Sequence, residues 1–204
     1  MSLERCFQLQ MIEKILKKLT NLSMTDLTLP KAIRNILDTH TEPDSVFSAL
    51  VPVLGEILQC DRCFLYIRNP QTKLGKVPYC WRRSREIPEV IDSEWKLEPD
   101  SLTKEDPMFA AAIRTDPSIY VEDVETANPE VVNKEFERKQ FGHKALIHAH
   151  LCQDGQLWGI LQPAIFGQKR VWSKFDRAII TKLESELTPL VVRYVVNQEM
   201  QTYD

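Results

Sequence analysis

On either side of Gln153-Asp154-Gly155-Gln156, apolar and polar positions alternate through residues 144–165. An Asp-Gly pair between two apolar runs is a hairpin signal, because glycine accepts the positive φ that a tight turn requires. The pattern predicts paired antiparallel strands over 144–152 and 157–165. Successive side chains of a strand point to opposite faces. One face then carries Ala145, Ile147, Ala149, Leu151, Leu157, Gly159, Leu161 and Pro163, almost wholly apolar or small. The other carries Leu146, His148, His150, Trp158, Ile160, Gln162 and Ala164. The first face is expected to pack on helices. The second mixes imidazoles and an amide with apolar groups, and is expected to line a pocket under the long connections between 85 and 140.

Elsewhere the apolar spacing is mostly helical. Residues 3–20 repeat Phe7, Met11 or Ile12, Ile15 or Leu16, and Leu19, with Glu and Lys opposite. A short helix follows from Pro30 through Leu37, and a stronger one over 44–59 on Phe47, Leu50, Val51, Leu54, Ile57 and Leu58, where Pro52 predicts a kink or a late start. Residues 62–68 and 76–84 are predicted as a second hairpin; 85–103 carries little signal. A short helix at 108–115, a strand at 118–122 and a polar helix at 129–140 lead to the opening hairpin. Ser173 and Asp176 form a capping-box-like start to a final helix striped by Phe175, Ile179, Ile180, Leu183, Leu187, Leu190, Val191, Tyr194 and Val195, which Pro189 is expected to bend. Antiparallel strands with segregated helices predict an α+β fold. The division expected is a helical extension over 1–25 and a single domain over 26–200 that includes the last helix.

Composition narrows the function classes. At 204 residues with a formal charge of −3, the chain is large enough for one domain with a cavity, and it shows no electrostatic footprint for nucleic acid. No apolar run approaches a membrane span, and the charged N-terminal segment does not read as a signal peptide. Five cysteines at 6, 60, 63, 80 and 152 argue against a disulfide framework and for a reducing, cytoplasmic compartment. Cys60 and Cys63 form a CxxC pair without a second pair at zinc-ribbon spacing, so both read as small buried hydrophobes. No GxSxG, HExxH or P-loop motif is present, and the expectation is a protein that is not an enzyme.

Four ordered landmarks resemble a GAF domain: Ile57-Leu58-Gln59-Cys60-Asp61-Arg62-Cys63-Phe64-Leu65-Tyr66, Phe141-Gly142-His143-Lys144-Ala145-Leu146, Asp154-Gly155-Gln156-Leu157-Trp158-Gly159-Ile160-Leu161, and Trp172-Ser173. The resemblance covers about residues 30–198. It is closest to the cyanobacteriochrome and phytochrome type, which suggests a stand-alone protein from a cyanobacterium-like source. It implies an antiparallel sheet of about five or six strands, with N- and C-terminal helices on one face and a ligand pocket under loops on the other. The photoreceptor members hold a linear tetrapyrrole through a Cys-His pair about twelve residues before the alanine matching Ala145. Here that count falls on Asn133-Lys134, so the resemblance implies no covalent chromophore there. The cysteines also do not match the pocket pattern of the methionine sulfoxide reductase branch.

Candidate site residues follow from both readings. His148 and His150 stand two apart on a strand, so their rings can share a ligand; they fit a small-molecule pocket, a metal pair lacking a third ligand, or hydrogen-bonded structural histidines. Under the family alignment Phe64, Tyr66 and Gln162 project to the same side, Phe64 and Tyr66 as pocket wall or as ordinary core, and Leu146, on the histidine face by alternation, is counted with the pocket. Trp81-Arg82-Arg83-Ser84-Arg85 reads as an anion-receiving patch or a solvated strand end, and Glu122, Asp123 and Glu125 as an acid partner for a histidine or a solvated cluster. Phe7, Ile15, Leu19, Leu187 and Tyr194 mark helices that could pair in a homodimer. The function expected is a non-enzymatic sensory or regulatory module. It would bind a small organic ligand noncovalently, or a protein partner, and act through association. The alternatives are a ligand-free adaptor and a noncovalent tetrapyrrole binder.

Overall fold

A computed structural model describes residues 28–201, with side chains through 198. The predicted helix at 3–20, with Phe7, Ile15 and Leu19, lies outside the described residues. The chain runs α1 (Lys31–Thr39), α2 (Pro43–Ile57), β1 (Arg62–Asn69), β2 (Leu74–Arg82), β3 (Asp92–Leu97), α3 (Leu102–Glu105), α4 (Pro107–Ile113), β4 (Ile119–Val121), α5 (Lys134–Gln140), β5 (Ala145–Gln153), β6 (Gln156–Ile165) and α6 (Lys174–Gln201). The strands form one sheet in the order β3-β2-β1-β6-β5-β4, with every neighbouring pair antiparallel. This is the α+β architecture that the strand and helix patterns predict.

Helices α2 and α6 cover one sheet face. Phe47, Leu50, Val51 and Leu54 from α2 meet Cys63, Leu65 and Ile67 from β1, and Ala145, Ile147, Ala149 and Leu151 from β5 meet Ile180, Leu183, Leu187 and Val191 from α6. Burying each larger aliphatic side chain contributes roughly 1.5–3 kcal/mol, so this layer supplies most of the drive to fold. Cys60 and Cys63 are buried in it as free thiols. Helix α2 starts at Pro43, where a missing N–H costs nothing, and its assigned span includes Pro52. At the start of α6, Ser173 Oγ accepts from Asp176 N at 3.1 Å and Asp176 Oδ2 accepts from Ser173 N at 2.8 Å, a reciprocal cap.

The β5–β6 turn places Asp154 and Gly155 at φ 53° and 71°, the two positive values of a tight two-residue hairpin. Just beyond it the register shifts: Leu151 pairs with Gly159, while Cys152 pairs with Leu157. Trp158 is the extra residue of this bulge, and it reverses the expected faces of the first two β6 side chains. Trp158 joins the helix-side core, and Leu157 turns to the opposite side with Phe109, Ala112 and Ile160. From Gly159 onward the expected alternation holds.

Three further elements differ from expectation. The weak stretch 85–103 contains β3, an edge strand with every residue partly or fully exposed. The polar helix expected over 129–140 is confined to α5, with Asn133 as its cap. Strand β2 ends at Arg82, and Arg82 and Arg83 beyond the core tie down the following loop through Ile87 O, Glu89, Cys60 O and Asp61.

Candidate functional site

On the sheet face away from α2 and α6, the short helices α3, α4 and α5 roof a cavity of about 220 Å³. Its floor is Phe64 and Tyr66 of β1, Val77 of β2, His148 of β5, and Ile160 and Gln162 of β6. Its roof is Leu102, Asp106, Phe109, Phe136, Glu137 and Phe141. Gly75 in β2 makes room for the Tyr66 ring, since any Cβ there would fall on the phenol. The Tyr66 hydroxyl donates to Glu98 Oε1 at 2.6 Å; Arg68 holds both oxygens of the same carboxylate, at 2.8 and 3.1 Å. Burial and the Glu98 charge push the Tyr66 phenol far above its ordinary pKa, so it stays protonated.

Asp106 caps α4: its Oδ1 accepts from Met108 N at 2.9 Å and Phe109 N at 3.1 Å. Burial is the main force raising its carboxyl to about 6; the Glu137 charge adds to the rise and the cap hydrogen bonds oppose it. Glu137 is 1% exposed and pairs with His143 Nε2. His143 Nδ1 faces Arg62 Nη2 at 3.5 Å, so the imidazole proton sits on Nε2 and is donated to Glu137. Arg62 is fully buried, stacked over Phe166 at 5.0 Å and Phe64 at 5.6 Å, and donates to Pro88 O at 2.9 Å. Desolvation lowers its guanidinium to about 10, still a cation at neutral pH. The Arg62–His143–Glu137 chain therefore sets a cation and a carboxylate at the two ends of one imidazole.

The two strand histidines form a relay. His150 Nδ1–H donates to Asp116 O at 2.7 Å, which leaves His150 Nε2 to accept from His148 Nδ1–H at 2.9 Å. His148 Nε2 is then a bare acceptor on a ring that lines the cavity. Desolvation, followed by the neighbouring histidines, holds His148 well below its ordinary pKa; desolvation also lowers His150, so both are neutral at pH 7. On the far side of His150, its backbone N donates to Ser118 Oγ at 2.8 Å.

Of the residues singled out in the sequence, Phe64, Tyr66, His148 and Gln162 line this cavity. His150 does not; its ring lines a separate groove with Cys152, Thr181 and Glu184 beside α6. Leu146 lies in a small apolar cluster with Met108, Val121, Val124, Val132 and Ala164. Among the described residues no three His, Cys, Asp or Glu side chains gather as a metal site. Leu187 is fully buried in the core, and Tyr194 packs on Phe47 and Tyr79. Asp123 pairs with Lys144 and Glu125 with Arg138 at the surface, so the acid that meets a histidine is Glu137 instead. Asp106, Glu137, His143 and Arg62 were not singled out. In the sequence Asp106-Pro107 reads as the start of the short helix at 108–115, but nothing in KEFERKQ distinguishes its one buried carboxylate from its solvated ones.

A family model described as the GAF domain matches residues 42–183, more than half of the chain. The chain belongs to the GAF domain family. No curated protein matches it. Among solved structures, the phycoerythrobilin-bound GAF domain from a cyanobacterial phytochrome is 15% identical with a TM-score of 0.64, covering 84% of this chain and 100% of that one. The GAF domain of an Acinetobacter phosphoenolpyruvate-protein phosphotransferase is 10% identical at a TM-score of 0.60, covering 81% and 93%. The chromophore-binding domain of an unusual bacteriophytochrome from R. palustris is 18% identical at 0.60, covering 83% and 60%. These likenesses establish the GAF fold. No described helix is long and apolar enough to cross a membrane.

Proposed function

We propose that this chain is a sensory or regulatory GAF module, not an enzyme, that holds a small organic molecule noncovalently beneath α4 and α5. In this reading it transmits the bound state by association with a second copy or another protein. The observation that carries the reading is Gln162: it is 3% exposed, lines the aromatic cavity, and has no hydrogen-bond partner among the described residues. An amide that opens onto an aromatic cavity with no protein partner costs up to about 1–3 kcal/mol when nothing in the cavity meets it. A bound molecule that satisfies it recovers that cost, whereas a cavity meant to be self-filled gains nothing from keeping it polar.

Volume restricts the occupant. Pockets for drug-sized ligands span about 300–1,000 Å³; this cavity, at about 220 Å³, suits one ring or two fused rings rather than the four of a tetrapyrrole. The position expected for chromophore attachment supports the same reading. Asn133 is occupied as the α5 cap, accepting from Phe136 N at 3.2 Å and donating to Glu105 O at 2.8 Å. Native mass spectrometry of the protein purified from its own host tests the proposal. A stoichiometric adduct of small mass is expected, lost on denaturation; a bare polypeptide mass would favour an adaptor without ligand. The same spectra report the oligomer, and a monomer persisting at high micromolar concentration in sedimentation would remove self-association from the reading.

A further inference from the structure

The polar groups of the cavity are unevenly matched. Asp106 spends Oδ1 on two backbone N–H groups, and Oδ2 has no donor among the described residues. His148 Nε2 is a bare acceptor, its proton committed to the Nδ1 side of the relay. Glu137, the other carboxylate, already faces the Arg62–His143 side. Among the described residues no lysine or arginine lines the cavity, and Tyr66 has donated its only proton to Glu98. What remains is an acceptor-rich floor and roof, one unmatched carboxylate, and the walls Phe64, Phe109, Phe136 and Phe141. Aromatic faces attract cations and repel anions.

We propose that the cavity takes a small planar nitrogen cation of the amidine or amino-heterocycle class, its N–H edge shared between Asp106 and His148 and its ring held among the phenylalanines. This rests on the reading that the cavity binds a small molecule and names the class it accepts. Gln162 completes the recognition, since its amide can accept a further N–H or donate to a ring nitrogen. The raised Asp106 carboxyl is what a buried acid shows when its cation is missing. An acidic ligand, by contrast, would set a second negative charge beside Asp106 with no cation on the cavity wall among the described residues.

The experiment compares three probes of one shape, benzamidine, benzamide and benzoate, by calorimetry and thermal shift on the full chain at neutral pH. Benzamidine is expected to bind at least tenfold tighter than benzamide, and benzoate not at all. Asp106→Asn keeps the helix cap; it is expected to abolish the preference for benzamidine over benzamide. Gln162→Leu provides a second variant that leaves the cap and the carboxylate intact, and should weaken both bound probes. Benzamide or benzoate binding as tightly as benzamidine overturns the cation class while leaving the cavity a ligand site. Failure of all three to bind overturns the cation class, while the small-molecule reading is decided separately by the native mass spectrum. Benzamidine binding that neither variant changes places the probe elsewhere and overturns the inference.

Discussion

A fully buried arginine is costly unless an opposite charge shares its environment, and Arg62 has one in Glu137, reached through His143. Its Nε has no acceptor among the described residues, so the guanidinium depends on this pairing and on the Phe166 and Phe64 faces. Removing only the carboxylate charge leaves the cation in place. Glu137→Gln is therefore expected to destabilise the fold by about 3–5 kcal/mol, measured as a fall in the urea midpoint. Arg62→Met in the same background should recover a large part of that loss, because it removes the orphaned cation and fills its volume. Additive losses in the double variant would show that the two charges are not coupled. None of this was legible beforehand. Arg62 opens a strand whose apolar pattern is complete without it, and alternation identifies a face without saying how deep a charged residue on that face will lie.

At the scale of elements, close approach overrides propensity. Gly55 lies within α2, where glycine costs about 1 kcal/mol relative to alanine. Yet a Cβ at this position would fall inside the Trp81 indole of β2, which packs against the helix-side core. Gly55→Ala is expected to lower stability by about 1–3 kcal/mol, the overpacking range, despite the better helix former; Trp81→Leu should reverse the sign of the substitution. A gain for Gly55→Ala in the parent would mean the indole is free to move. The same competition explains which elements could be read. Helix stripes and the β5–β6 hairpin were visible because many residues repeat one period, and the Asp154-Gly155 turn needs particular residue types. The bulge at Trp158 was not, since one inserted residue leaves the composition unchanged while exchanging the faces of Leu157 and Trp158. Edge strand β3 was missed because DSEWKL pairs only through β2 and buries no complete face. The cavity floor was legible in Phe64, Tyr66, His148 and Gln162; its roof comes from short helices whose periods are too brief to orient Asp106 or Glu137.

For the whole molecule, the polar groups of one sheet face set opposing dependences of stability on pH. The Asp106 carboxyl rises from an ordinary 3.8 to about 6 in the fold, so the native state holds that proton more tightly than the unfolded chain. Its stabilising contribution is complete below about pH 4 and is lost as pH rises through about 6, a change of roughly 3 kcal/mol at 1.36 kcal/mol per pK unit. His148 and His150 act in the other sense. Their folded pKa values lie below the ordinary 6.5, so the unfolded chain takes up protons first and stability falls as pH drops beneath that value. In the parent the two trends overlap and partly cancel between about pH 4 and 6.5. Asp106→Asn removes one of them while keeping an α4 cap. The variant should be more stable than the parent near pH 7.5, by up to about 3 kcal/mol, and should match it near pH 4; its own stability should fall more steeply on acidification, because the Asp106 trend that opposes the histidines is gone. Urea midpoints at the two pH values decide the matter, and identical profiles for parent and variant would mean that Asp106 does not hold its proton in the fold. A carboxylate that weakens the empty protein at neutral pH, where an asparagine would cap equally well, makes sense at this position if a cation bound to the cavity supplies the missing counter-charge.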